Sequence, residues 1–175
     1  VKIKIVDENS NSLPPTKVGE LCVQGNNVML GYLNLPEETA HTLRDGWLHT
    51  GDMVYSDEEG YLYLVDRLKD MIISSGENIY PREVEEVLYA YPGVEEAAVI
   101  GIPDKLRGEA VCAYLVPKTG VTLEKQALRK YLLEHVAPYK VPRKFYFCTE
   151  LPKSGTGKIL KQVLREQATV NAISR

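Results

Sequence analysis

The hydrophobic pattern changes character near residue 67, and that change limits the fold of this chain more than any other feature. Residues 1–66 read mostly as strands and turns, because short stretches of alternating apolar and polar residues are broken by turn formers. Lys2–Val6 and Gly19–Gln24 are two such strands around the Asn9-Ser10-Asn11-Ser12 turn and the Pro14-Pro15 pair, and 60–66 alternates Tyr61, Tyr63 and Val65 with Leu62 and Leu64. A short helix is expected over 36–44, where Pro36 suits a first turn and Glu37 and Glu38 lie near the positive end of the dipole.

Beyond residue 67, strand and helix patterns alternate. A strand is expected over 70–75. The helix expected over 81–91 sets Val84, Val87, Leu88 and Tyr91 on one face, carries Glu83, Glu85 and Glu86 near its start, and stops at Pro92-Gly93. Two nearly continuous apolar runs, 97–102 and 110–116, have the length of strands. A second helix over 123–136 buries Leu123, Ala127, Leu128, Tyr131, Leu132 and Val136, with Thr122 as its N-cap. A strand over 144–148, a Gly-rich turn and an amphipathic helix from 158 to about 169 complete the chain. The boundary between the two patterns falls in Arg67-Leu68-Lys69-Asp70.

Composition removes several functional classes. A chain of 175 residues is long enough to bury a core without covalent staples. Its net charge of -3 and pI near 5.7 offer no polyanion-binding surface, so no nucleic-acid partner is expected. Cys22, Cys112 and Cys148 are far apart and odd in number, so neither a disulfide framework nor a zinc CxxC pair is available. No metal-ligand set is expected, and a reducing cytoplasm fits. There is no membrane-length apolar run and no signal-peptide pattern. The chain opens directly in a strand without an initiator Met, as a part of something longer would.

The Gly-rich turn Lys153-Ser154-Gly155-Thr156-Gly157-Lys158 carries the first chemical signal. Small residues let backbone N–H groups approach an anion, and Lys158 adds a point charge suited to a phosphate. It is not a Walker A loop, which would require glycine at the position of Pro152 and Ser or Thr at that of Ile159. Taken alone, Lys158 reads as a solvated lysine on a turn that opens the last helix.

Further motifs precede it: Gly31-Tyr32, then Gly46-Trp47-Leu48-His49-Thr50-Gly51-Asp52, then Asp66-Arg67-Leu68-Lys69-Asp70-Met71-Ile72-Ile73-Ser74-Ser75-Gly76-Glu77-Asn78-Ile79-Tyr80-Pro81, running on into Arg82-Glu83-Val84-Glu85. In this order and spacing the chain resembles the carboxy-terminal third of the adenylate-forming superfamily, which includes acyl-CoA synthetases, firefly luciferase and the adenylation domains of peptide synthetases. The resemblance implies an α+β fold: a small β-rich remnant of a large N-terminal domain over 1–66, a hinge over 67–70, and a compact mobile C-terminal domain over 71–175, with a mixed sheet and about three helices. Asp52, in what reads as a Thr-Gly-Asp turn, then corresponds to the ribose-binding aspartate, since a carboxylate accepts hydrogen bonds from two vicinal hydroxyls. Arg67 corresponds to the second nucleotide contact and Lys69 to the hinge. Lys158 corresponds to the lysine that bridges the substrate carboxylate and the α-phosphate during adenylate formation. Gly76, Glu77 and Asn78 correspond to the loop that lines the pantetheine channel in the second half-reaction. Without these correspondences Asp52 reads as an Asx turn, Arg67 as a surface arginine paired to Asp66 or Asp70, and 76–78 as a tight turn.

Departures from the family pattern narrow the branch. Ile73 stands where luciferases and coumarate-type ligases often carry lysine, and Glu77-Asn78-Ile79-Tyr80-Pro81 replaces the Gly-x-Arg-Ile-Glu run of peptide synthetases. Fatty-acid or related acyl-CoA ligases are most similar. The reaction implied joins a carboxylic acid to ATP, giving acyl-AMP and pyrophosphate, and then to CoA, giving acyl-CoA and AMP. The phosphate loop, the acyl pocket and the Mg²⁺-associated acid of the family lie in the N-terminal domain, so this chain is expected to be inactive without that partner. Two alternatives stay open: transfer of the acyl group to a carrier protein, and a stand-alone module that binds a nucleotide or a protein without catalysis.

Overall fold

A computed structural model describes residues 1–173, with side chains through Thr169. The chain divides into two compact units, Val1–Lys69 and Asp70 onward.

The first unit is one antiparallel sheet built from β1 (Lys2–Val6), β2 (Gly19–Gln24), β3 (Leu43–Arg44), β4 (Trp47–Ser56) and β5 (Leu62–Arg67), with a short helix α1 (Pro36–Thr42) beside it. β4 is central: β2 runs along one side of it, and β3 and then β5 along the other. The core of the unit is thin, made by Ile5, Val6, Cys22, Met53 and Val54. The helix stops at Thr42, short of the expected 44, because Leu43 and Arg44 pair with Leu48 and Trp47 instead. The connecting residues, Asp45 (φ 50°) and Gly46 (φ 77°), are both left-handed, the geometry of a two-residue hairpin whose twist matches that of its strands. The Thr-Gly-Asp segment is not a turn between elements. It lies within the ten-residue strand β4, for reasons set out below.

The second unit is a three-layer sandwich. Its sheet contains β6 (Ile72–Ser74), β7 (Glu77–Ile79), β8 (Val94–Asp104), β9 (Gly108–Pro117) and β10 (Lys144–Phe147), and its helices are α2 (Pro81–Ala90), α3 (Lys125–His135) and α4 (Lys161–Ile173). β8 and β9 form a long antiparallel ribbon from Val94↔Pro117 to Asp104↔Gly108, while β10 pairs β9 in parallel, so the sheet is mixed. Side chains alternate across the pleat. Ala97, Val99, Val111, Ala113 and Leu115 therefore face Val84 and Leu88 of α2 and Leu128 and Leu132 of α3. Ala98, Ile100, Ala110, Cys112 and Tyr114 face Leu164 and Ala168 of α4. Burial on both faces is why 97–102 and 110–116 read as continuous apolar runs rather than alternating ones.

Several expected boundaries move. A 3₁₀ turn takes Leu68–Asp70, so the strand expected over 70–75 shrinks to β6. α3 starts at Lys125 after Glu124, with no side-chain cap bond, rather than behind Thr122; Leu123 is buried all the same, just outside the helix. α4 starts at Lys161, so Lys158 belongs to the preceding turn. Among the described residues no helix is long and apolar enough to cross a membrane.

Leu132 is fully buried between α3 and the sheet, whereas its neighbour Leu133 is 46% exposed. Leu132→Ala should lower the stability of the second unit by about 3 kcal/mol in denaturant titration, through lost burial and a cavity, and Leu133→Ala by less than about 0.5 kcal/mol.

Candidate functional site

The first nucleotide-binding candidate, Asp52, sits on a bulge in β4. Pairing with β2 matches Glu20 with Met53 and Cys22 with His49, which leaves Thr50, Gly51 and Asp52 opposite Leu21 alone. The surplus is pushed out of the ladder, and the backbone groups it frees need other partners. Thr50 Oγ1 donates to the Leu21 carbonyl at 2.8 Å and accepts the Asp52 N–H at 3.1 Å. The Gly51 N–H donates to Glu20 Oε1 at 3.0 Å. Gly51 has φ +70°, a conformation that favours glycine, and this lets the strand swing out and return.

On its other edge the bulge meets β5. Asp52 lies directly opposite Arg67, and Arg67 Nε reaches Asp52 Oδ1 at 2.8 Å. The two nucleotide candidates, fifteen positions apart in sequence, are thus brought together as a cross-strand pair. Both side chains are accessible, at 26% for Asp52 and 57% for Arg67. The hinge candidate Lys69 is exposed in the 3₁₀ turn just after β5. Within this unit a cleft of about 440 Å³ is lined by Glu20, Arg44, His49, Gly51, Arg67 and Lys69. Its cationic groups outnumber its one carboxylate, which suits an anionic ligand.

Sequence reasoning missed the group behind the bulge. Glu20, Cys22 and His49 converge: His49 Nδ1 lies 2.7 Å from Glu20 Oε2 and 3.4 Å from Cys22 Sγ. Thiol, imidazole and carboxylate are a donor set a transition metal could use. Here the donors are engaged with one another and with the backbone, since Glu20 also accepts from Gly51 and burial, followed by the Glu20 charge, pushes the Cys22 thiol above its ordinary value. A signal was present in the sequence. Glu20 and Cys22 stand two apart on one strand and so share a face, which places a carboxylate on the side that the cysteine marks as inside.

In the second unit, Lys158 closes a tight turn. Lys153 and Ile159 form an isolated antiparallel bridge, the Ser154 N–H donates to the Lys158 carbonyl at 2.8 Å, and the Gly157 N–H donates to the Ser154 carbonyl at 2.9 Å. Ser154 Oγ accepts the Lys158 N–H at 3.2 Å. Both feet of the turn are tied down: Lys153 pairs with Glu96 of β8, and Lys161 with Glu85 of α2 at 2.8 Å. Glu85 also accepts the Val99 N–H at 2.7 Å, so one carboxylate joins α2, β8 and α4. Lys158 itself is exposed and makes no ion pair among the described residues.

The loop candidates Gly76, Glu77 and Asn78 lie at the tip of the β6–β7 hairpin, with Glu77 and Asn78 in β7 rather than in a loop. Ser75 (φ 54°) and Gly76 (φ 82°) form its two-residue turn, and all three candidates are exposed. The Ile73 N–H donates to Glu109 of β9 at 2.8 Å and the Ser75 N–H to the Arg107 carbonyl at 2.9 Å, which anchors the hairpin to the long ribbon.

Comparison with known proteins adds the context. Residues 83–158 match the AMP-binding enzyme C-terminal domain family. Over 165 residues, 94% of this chain, it is 50% identical to a long-chain-fatty-acid–CoA ligase of Bacillus subtilis and 49% identical to a feruloyl-CoA synthase of Amycolatopsis. The chain spans about a third of the length of these curated relatives, 30% and 34% respectively. The crystal structure of ATP-bound MatB from Rhodopseudomonas palustris superposes with a TM-score of 0.89 at 39% identity, covering 95% of this chain and 33% of that one.

The two kinds of ion pair should separate by mutation. Glu85→Ala strands the Val99 N–H and the partly buried Lys161, so chemical denaturation should show a loss of about 2–3 kcal/mol. Asp52→Ala removes an accessible pair and should cost less than about 1 kcal/mol.

Proposed function

We propose that this chain, whose residues 83–158 match the AMP-binding enzyme C-terminal domain family, is the carboxy-terminal part of an ATP-dependent, AMP-forming acyl-CoA ligase. The observation that carries the reading is the state of Lys158. Its neighbours Lys153 and Lys161 are spent on ion pairs that hold the turn, while Lys158 stands at the end of that turn uncommitted to any carboxylate among the described residues.

In the first half-reaction a carboxylate oxygen attacks the α-phosphorus of ATP and pyrophosphate leaves. Negative charge is redistributed between the attacking carboxylate and the phosphoryl oxygens, and the Lys158 ammonium stabilises it as a preplaced cation. Asp52 accepts hydrogen bonds from the ribose hydroxyls. Arg67, its partner in the structure, supplies donors to the ribose or phosphate beside it. In the second half-reaction the CoA thiol attacks the acyl carbon and AMP leaves, with Gly76, Glu77 and Asn78 lining the path of the pantetheine arm. Lys69 is the hinge about which the second unit turns between the two steps. Names of the relatives support a long-chain aliphatic or an aromatic acid as substrate, and a place in fatty-acid or related metabolism.

Mg²⁺ accompanies ATP in such chemistry and requires a near-octahedral set of oxygen ligands. The Glu20, Cys22 and His49 cluster found among the described residues contains a thiol and an imidazole and does not fit it. On the family pattern the magnesium ligands, the phosphate loop and the acyl pocket belong to a large N-terminal domain.

Lys158→Ala in the complete protein separates the two steps. Acid-dependent consumption of ATP should fall by about 10²–10³-fold, while thioester formation from supplied acyl-AMP and CoA should stay within about threefold of wild type. Equal loss of both steps would contradict the role given to Lys158. Offering CoA and a pantetheinylated carrier protein in parallel identifies the acceptor.

A further inference from the structure

The Cβ side of Gly51 is open. A Cβ placed there would meet no atom within 4 Å, yet the residue holds φ +70° at the centre of the bulge that carries Asp52. Glycine is the most permissive residue, so a glycine with no side chain to pack keeps one conformation only if hydrogen bonds impose it. Its N–H donates to Glu20 Oε1 at 3.0 Å. Glu20 is itself held, since Oε2 accepts from His49 Nδ1 at 2.7 Å and lies 3.6 Å from Arg44 Nη2, and its side chain is only 12% exposed. Beneath His49 lies the fully buried Cys22.

We propose that Glu20 is the positioning residue of the ribose site: its carboxylate, locked by His49 and Arg44, fixes the Gly51 N–H and so holds the bulge that aims Asp52. The inference rests on the assignment of Asp52 to the ribose made above. Without Glu20 the Gly51 N–H turns to water and the bulge samples several conformations. Only some of these present the Asp52 carboxylate to both hydroxyls, so apparent affinity falls by the fraction of time the competent one is lost. A residue that merely stabilised the sheet would lower the melting temperature without changing how the protein distinguishes a ribose from a sugar lacking hydroxyls.

The test is the ratio of affinities for AMP and 2′,3′-dideoxy-AMP, measured by calorimetry on the complete protein. Wild type should favour AMP by about tenfold or more, the worth of hydrogen bonds to a charged acceptor, and Asp52→Ala should bring the ratio near one. Glu20→Met keeps length and bulk but accepts no N–H, and should bring the ratio to within about twofold of Asp52→Ala. Glu20→Gln keeps a neutral oxygen for Gly51, binds it less strongly, and should fall between. Should the methionine variant not fold, the glutamine variant decides: an intermediate ratio supports positioning, and a wild-type ratio overturns it. A ratio insensitive to Asp52→Ala would instead sink the ribose assignment, and this inference with it.

Discussion

Strand β4 holds three residues where β2 offers a place for one, and the chemistry assigned to the first unit depends on how that surplus is accommodated. A backbone N–H left without a partner in a half-buried sheet costs about 1–3 kcal/mol. The bulge avoids this with side chains: Thr50 serves both the Leu21 carbonyl and the Asp52 N–H, and Glu20 reaches across from β2 to serve Gly51. The buried Cys22 and Met53 belong to the strand pairs on either side of the bulge, and polar groups satisfy the backbone between them. Their arrangement also determines direction. Met53 returns to the ladder and is buried, whereas Asp52 stays on the accessible edge against Arg67.

The second unit solves a different problem, that of holding two exposed turns on a rigid frame. The β8–β9 ribbon is that frame, buried on both faces by apolar side chains from α2, α3 and α4. Single carboxylates projecting from the frame or its helices tie down the turns: Glu96 and Glu85 at the feet of the Lys158 turn, and Glu109 at the β6–β7 hairpin. Gly101 belongs to the same device, because a Cβ there would lie 2.6 Å from the Glu109 carboxylate. Preplaced cations and donors are effective in catalysis to the extent that they need no reorganisation during the reaction. A lysine on a turn anchored at both ends satisfies that requirement, and a lysine on a frayed helix end would not.

What was legible in the sequence follows the range of the interactions involved. β1 and β2 were readable because alternation is local, and α2 because its apolar face recurs at helical spacing. β4 was not, since His49, Thr50, Gly51 and Asp52 interrupt alternation where the strand bulges. The Asp45-Gly46 hairpin that leads into it was legible in principle, as Asp-Gly is a strong signal for a two-residue turn, but the helix pattern over 36–44 obscured it. Motif order located Asp52, Arg67 and Lys158, and geometry then joined Asp52 to Arg67. Glu20 and His49 had no motif of their own. Their contact spans 29 positions and exists only because β2 and β4 are neighbours, which periodicity cannot reveal.

In the proposed function the Asp52 bulge and the Lys158 turn serve one reaction, the formation of an acyl-adenylate. Carboxylate-dependent exchange of labelled pyrophosphate into ATP, run on the complete protein without CoA across a panel of aliphatic and aromatic acids, tests this most directly. Exchange is expected with at least one acid and none when acid is omitted. Absence of exchange with every acid in a protein that still binds AMP would contradict it, and would assign the chain to nucleotide binding without adenylation.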